Sequence, residues 1–178
     1  LVGEIRDADT ARMAFQAAMT GHQVFSTLHT NSAIGALARL LDIGIPAHIL
    51  AGNIIGIVAQ RLVRRLCPAC RAVAPASNAQ LRLLGLSDEA PRPPLHHPVG
   101  CPACDFQGYR GRRAIMEVLR LDADLDELIA RRATAREIRQ AAARQGFRPL
   151  ADDGLRRVLD GSTSLEELSR VVDLTDRM

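Results

Sequence analysis

Apolar strand ends that alternate with helix-periodic segments predict an α/β fold for this chain of 178 residues. Three observations carry the prediction. Leu1–Asp7 (Leu-Val-Gly-Glu-Ile-Arg-Asp) reads as the end of a buried strand that delivers Glu4, Arg6 and Asp7 at its C-terminal end. That is where an open α/β sheet binds ligands. Thr20–Asn31 (Thr-Gly-His-Gln-Val-Phe-Ser-Thr-Leu-His-Thr-Asn) repeats the arrangement, with strand-like Val24 and Phe25 followed by Ser26, Thr27 and His29. Between and beyond these runs, apolar residues recur at helical spacing.

The elements follow in order. Ala11, Ala14, Phe15, Ala18 and Met19 space out a helix from Asp9 to Met19, with Asp9 as its cap and Thr20-Gly21 as its end. Asn31 or Ser32 caps a second helix with the stripe Ile34, Leu37, Ala38 and Leu41, stopped by Gly44 and Pro46. Ile49–Val58 reads as a third apolar helix, weakened by Gly52 and Gly56, and Leu62–Leu66 as a strand. Ala79–Leu84 is helical and ended by Gly85, while Pro91-Arg-Pro-Pro94 and His96-His97-Pro98 are loop chemistry. Tyr109-Arg110-Gly111-Arg112 predicts a turn. Ala114–Leu121 predicts a strand with Ile115, Glu117 and Leu119 on one face and Met116, Val118 and Arg120 on the other, an imperfect fit to period two. The tail is helical. Thr134-x-x-Glu137 and Ser164-x-x-Glu167 are capping-box signatures, and a further helix runs from Asp152/Asp153 to Leu159, ended by Gly161.

Composition narrows the function classes. At 47 % hydrophobic the chain can bury a core, and with one Tyr, four Phe and no Trp that core is aliphatic. The net charge of +3 is a mild excess, and the arginines are scattered among 20 acids, although Arg61, Arg64 and Arg65 cluster. Scarce aromatics leave little for base stacking, so a nucleic-acid partner is not expected. The most apolar stretch, Ile43 to Ala59, is short for the ~20 residues of a membrane span. It is also interrupted by Pro46, His48 and Asn53.

The cysteines give the most specific signal. Cys67-Pro-Ala-Cys70 and Cys101-Pro-Ala-Cys104 are matched CxxC knuckles with no other cysteine in the chain. Four thiolates in tetrahedral array hold structural Zn²⁺, and a closed shell leaves no position for substrate. A redox pair would need one CxxC at a helix start, not two alike. His96 and His97 are expected in solvent, because four thiols already complete the shell.

Leu-Val-Gly-Glu-Ile-Arg-Asp together with Thr-Gly-His…Ser-Thr-Leu-His-Thr-Asn resembles the secretion ATPases of type II secretion and type IV pilus assembly. In that family the first motif is the Walker B region and the second the histidine box. The resemblance implies the C-terminal portion of a RecA-like P-loop NTPase sheet, a Cys₄ zinc-binding insertion and a C-terminal helical bundle. It divides the chain into residues 1–66 (partial ATPase core), 67–104 (zinc module) and 105–178 (C-terminal strand and helical subdomain). A P-loop needs the lysine of Gly-x-x-x-x-Gly-Lys-[Ser/Thr] to reach the phosphates. All 23 basic residues counted here are arginines, so no such loop lies within the sequence. The family's front part, the P-loop included, is expected to be missing.

The resemblance also implies roles. Glu4 is the catalytic carboxylate, against the alternative of a solvated charge at a strand end. His29 is placed for a γ-phosphate or intersubunit role. His22, seven residues away and on the opposite face of a regular strand, is catalytic or only supports its loop. Arg112 and Thr27 contact nucleotide and Arg110 bridges neighbouring subunits, against the alternative that Arg110, Arg112 and Arg113 are surface charges. Spacing gives no purpose to Gln-Arg-Leu-Val-Arg-Arg-Leu-Cys. The implied parent is a cytoplasmic hexamer at the bacterial inner membrane that uses ATP and Mg²⁺ and works with membrane platform proteins. It drives pseudopilus assembly in type II secretion, with pilus assembly as the alternative; pilus-retraction ATPases generally lack the cysteines. The chain by itself is expected to be inactive, and a stand-alone zinc-stabilised adaptor is the other class of reading.

Overall fold

The computed structural model describes residues 1–174, and the chain folds as α/β in two compact units interleaved along the sequence. One comprises Leu1–Ala59 and Glu117–Arg148, the other Gln60–Met116 and Pro149–Met178. In chain order the helices and strands are α1 (Ala8–Met19), α2 (Ala33–Ile43), α3 (Ala47–Leu50), β1 (Gly56–Leu66), β2 (Ala72–Pro75) and α4 (Asn78–Leu83). Then come β3 (Pro94–His97), a 3₁₀ turn (Pro102–Cys104), β4 (Tyr109–Arg120), α5 (Ala123–Ala130), α6 (Ala135–Arg144), α7 (Leu150–Leu159) and α8 (Leu165–Val171). Among the described residues no helix is long and apolar enough to cross a membrane.

β1 pairs with β4, and β2 with β3. The first pair is antiparallel. Leu121 N–H donates to Ile55 O at one end (3.1 Å), and Cys67 N–H to Gly108 O at the other (2.9 Å). Both strands pass from one unit into the other. Within the first unit, Ala59, Leu119 and Leu121 join Ile5, Phe15, Ile34, Leu37, Leu50, Leu125, Ile129 and Ile138 in one buried cluster. Within the second, Val63 and Ile115 join Leu81, Leu95, Leu155, Val158 and Leu168. The predicted face Ile115, Glu117 and Leu119 is buried, with Met116, Val118 and Arg120 exposed between them. The alternation is regular, and its charged member is inside.

Several expectations need correction. Asp7, not Asp9, caps α1, its Oδ1 accepting from Thr10 N–H at 2.8 Å, and Met19 is exposed. Of the two candidates for α2 it is Ser32 that caps, accepting from Gly35 N–H at 3.0 Å. Leu40 is buried, whereas Ala38 is exposed. The third helix is a single turn. Ala51 is already extended and Gly52 takes a left-handed φ of +75°, so the apolar residues beyond it become strand. The Pro-rich loop contains β3, whose Ala72↔His97 to Pro75↔Pro94 register with β2 needs nothing from the missing proline N–H groups. Tyr109–Arg112 is strand, not turn, with Gly111 at φ +76° bending it locally. The runs 1–5 and 24–29 are extended neighbours, with Val2 N–H on Phe25 O and Ile5 N–H on Thr27 O (both 2.9 Å). Two bonds at unequal spacing do not make a ladder, and neither run counts as a strand.

Helix α7 crosses α8 at Gly154, where an added Cβ would sit 2.3 Å from Leu168 Cδ1, and Leu168 is fully buried. Leu168→Ala should cost about 2–5 kcal/mol through its cavity, and Gly154→Ala about 1–3 kcal/mol through overpacking. In urea unfolding the double variant should lose less than the sum, because the new methyl fills the space that Leu168 vacates. Additive losses would show that the two residues do not meet.

Candidate functional site

Glu4 lies in the extended run before α1, and both of its carboxylate oxygens are occupied. Arg6 forms an ion pair with Oε1. His29 Nε2 meets Oε2 at 2.8 Å. The hydrogen bond from Arg6, and after it that from His29, hold the Glu4 carboxyl below its ordinary value, so it is ionised at neutral pH. Thr27 is adjacent: its N-terminal neighbours run beside Val2, and its hydroxyl donates to Gly3 O at 2.8 Å. Glu4, Thr27 and His29 are therefore brought together from motifs 25 residues apart in sequence. His22 goes elsewhere. Its Nδ1 lies 3.2 Å from Thr20 Oγ1, and it lines a cavity of about 710 Å³ beside α1 with Leu1, Met13, Ala17 and Val24. Neither Glu4 nor His29 lines that cavity.

Arg110 and Arg112 are exposed residues of β4 in the second unit, while Glu4, Thr27, His22 and His29 belong to the first. Arg113 reaches Ser162 Oγ at 3.4 Å.

The four cysteines converge. Their sulfurs all lie within 4.8 Å of one another. Cys67–Cys101 is 3.9 Å, and Cys70–Cys104 and Cys101–Cys104 are each 3.8 Å. Four sulfurs tetrahedral about Zn²⁺ at ~2.3 Å would lie about 3.8 Å apart, so the cage has the size of that ion. The β2–β3 ribbon closes the thirty-residue insertion and brings the knuckles face to face. Backbone N–H groups of Gly100 and Cys101 (3.3 Å) and Gly108 (3.2 Å) point at the sulfurs of Cys70 and Cys104. Such donors favour thiolates over thiols. Desolvation pushes Cys104 up, but the N–H groups of Cys101 and Gly108, joined by the Cys101 and Cys70 thiols, bring it down to about 7, while desolvation and the neighbouring thiols push Cys101 up to about 11. The histidines stay outside the sulfur cage, yet His96 is not in solvent. Its Nδ1 is buried against Gly161, and desolvation lowers its pKa, with Arg71 adding to the effect.

The arginine run that spacing left without a purpose acquires one. Arg64 is bound by Glu167 through its backbone N–H (3.1 Å), Nε (2.8 Å) and Nη2 (2.5 Å), and its guanidinium lies 4.1 Å from the Tyr109 ring centroid. Tyr109 OH meets Ser164 Oγ at 2.7 Å. Glu167 is thereby diverted: Ser164 caps α8 through Glu167 N–H, but the Glu167 side chain does not complete the expected box. At Thr134 and Glu137 the box is complete. Burial pushes Glu167 up, yet the Arg64 hydrogen bonds prevail and its pKa is lowered.

A sequence model of the family described as "Type II/IV secretion system protein" matches residues 1–170. The type IV pilus assembly ATPase TfpB of Acinetobacter baylyi is 46 % identical over 98 % of the chain, which covers 30 % of that relative. Type II secretion system protein E of Pseudomonas aeruginosa is 48 % identical over 96 % of the chain, which covers 34 % of it. The chain thus spans about a third of the length of these curated relatives. Among solved structures, the Legionella pneumophila ATPase DotB superposes with a TM-score of 0.60 at 20 % identity, covering 96 % of this chain and 37 % of that one. The likeness to DotB is one of fold.

Two predictions follow from the geometry. Chelation should lower the melting temperature and make 67–104 protease-sensitive, because binding free energy at such a site is folding free energy; an unchanged melt and digestion pattern would show that no structural metal is held. The second concerns acid. A carboxyl whose folded pKa is lowered contributes stability above its unfolded value, ~4.3, and loses it as pH falls further. Glu167→Gln should therefore reduce stability at neutral pH and flatten its acid dependence below about pH 4.5. Parallel acid profiles for both proteins would refute this.

Proposed function

Because the chain belongs to the type II/IV secretion system protein family, we propose that it is part of an ATPase that powers type II secretion by driving pseudopilus assembly. Pilus assembly is the second branch, supported by the 46 % identity to TfpB. On this reading, residues 1–66 belong to the latter part of a RecA-like sheet, 67–104 form the zinc module, and 105–178 form a C-terminal helical subdomain. The parent works as a cytoplasmic hexamer, peripheral to the inner membrane and docked on its platform proteins.

The observation that carries the proposal is the Glu4–His29 pair at 2.8 Å, in which a Walker B carboxylate meets the histidine box. Phosphoryl transfer depends on positioning and on charge stabilisation more than on covalent chemistry from the protein. ATP and Mg²⁺, when bound, supply the phosphoryl group and neutralise its charge. Glu4 then orients the attacking water. Being ionised, it can accept a proton, and each oxygen keeps a further lone pair beside its bond to Arg6 or His29. His29 Nε2 is the partner best placed to move, since its side chain is 82 % exposed. The Thr27 hydroxyl spends its proton on Gly3 O, so it faces a ligand as an acceptor. That suits a water held by Mg²⁺ better than a bare phosphate oxygen. Arg112 contacts nucleotide, Arg110 bridges to a neighbouring subunit, and His22 supports the loop that leads into the histidine box. Cys67, Cys70, Cys101 and Cys104 hold Zn²⁺ in a structural role.

The 178 residues contain no phosphate loop, so the purified chain should release phosphate from ATP at background rate. A chimera in which the front part of the Pseudomonas aeruginosa relative precedes Leu1 should hydrolyse ATP, and Glu4→Gln should slow it by at least about 100-fold. Undiminished turnover in that variant would remove Glu4 from the chemistry.

A further inference from the structure

Glu117 is a side chain 84 residues from Ala33 in sequence, only 4 % exposed, on the inward face of β4. Its Oε1 accepts from the Ala33 backbone N–H at 2.5 Å. Ala33 is the first residue of α2, whose free N–H groups carry the positive end of the helix dipole. Ser32 already caps this helix through Gly35 N–H, so Glu117 takes a different orphan donor. A buried charge is costly unless it is well bonded, and a neutral residue would satisfy a strand's inward face more cheaply.

The segment between these bonds carries His29. On its N-terminal side, Thr27 is fastened to the Glu4 run by its carbonyl, which accepts from Ile5 N–H, and by its hydroxyl on Gly3 O. On its C-terminal side, Ala33 is fastened to Glu117. No regular secondary structure supports residues 28–31. His29 thus sits in a short span fastened on both sides, and the C-terminal clamp, Glu117, comes from outside the two motifs. We propose that Glu117 is a positioning residue: by gripping the N-terminus of α2 it holds the histidine-box loop where His29 meets Glu4. The inference rests on the Glu4–His29 reading above and adds to it a residue on β4.

The test is made by NMR on the 178-residue chain. In the wild type, Ala33 N–H should exchange slowly, and a nuclear Overhauser contact should join the His29 ring to the Glu4 methylenes. In Glu117→Gln a neutral acceptor replaces a charged one. Ala33 exchange should rise about tenfold and the His29–Glu4 contact should fade, while the amides of Leu37 and Leu125 stay protected. Unchanged Ala33 exchange, or an intact His29–Glu4 contact in the variant, overturns the proposal. Should Glu117→Gln fail to fold, the wild type decides: an Ala33 amide exchanging like those of exposed loops overturns it, and core-level protection supports it. Normal turnover by the Glu4→Gln chimera would defeat the catalytic reading separately, since the NMR test reads geometry and not hydrolysis.

Discussion

The pairing of β1 with β4 is the constraint on which the rest depends. Each strand is long enough to serve two hydrophobic clusters in turn, one through Ala59 and Leu119, the other through Val63 and Ile115. Side chains that leave these strands fasten neighbouring helices: Glu117 bonds α2, and Arg64 and Tyr109 bond the start of α8. The end of β1 runs directly into Cys67, whose N–H bonds Gly108 just before β4. A two-stranded ribbon is marginal alone in water; here helices cover its inward residues on both stretches, and that burial supplies the stability.

Polar placement explains why the interior tolerates charge. Glu117 and Glu167 are both buried, and each is spent on a helix terminus or an arginine fork. Removing one partner from such a pair leaves an uncompensated buried charge, which is far more damaging than loss of a surface pair. Glu4 differs. Its partners Arg6 and His29 are exposed, so their bonds can exchange for water or ligand at little cost. The four-cysteine cluster lies between these extremes, with its sulfurs at ion-sized spacing and N–H donors aimed at them.

Much of this was legible in the sequence where local chemistry decides. The matched CxxC knuckles, the Ser32 and Thr134 caps, and the inward face of Ala114–Leu121 need only neighbouring residues to be read. Family motifs located Glu4 and His29, and folding brings them within hydrogen-bond distance. What the sequence hid were bonds between distant residues. Glu117 looked like a flaw in an alternating strand until Ala33 appeared beside it, and Arg64 had no purpose until Glu167 did. The misread third helix has a different origin. A short apolar run fits helix or buried strand equally well, and the left-handed Gly52 settles the choice against the helix.

Amide hydrogen exchange across the whole chain tests the central claim most directly, since protection ranks elements by the free energy needed to open them. If the β1–β4 pairing anchors the hydrophobic cluster of each unit, the amides of Ala59, Val63, Ile115 and Leu119 should be among the last to exchange. Protection in α1, α2, α7 and α8 should be lost no later than in the strands. Helices that stay protected after the β1 and β4 amides have exchanged would contradict the account and show that helix packing alone sustains the fold.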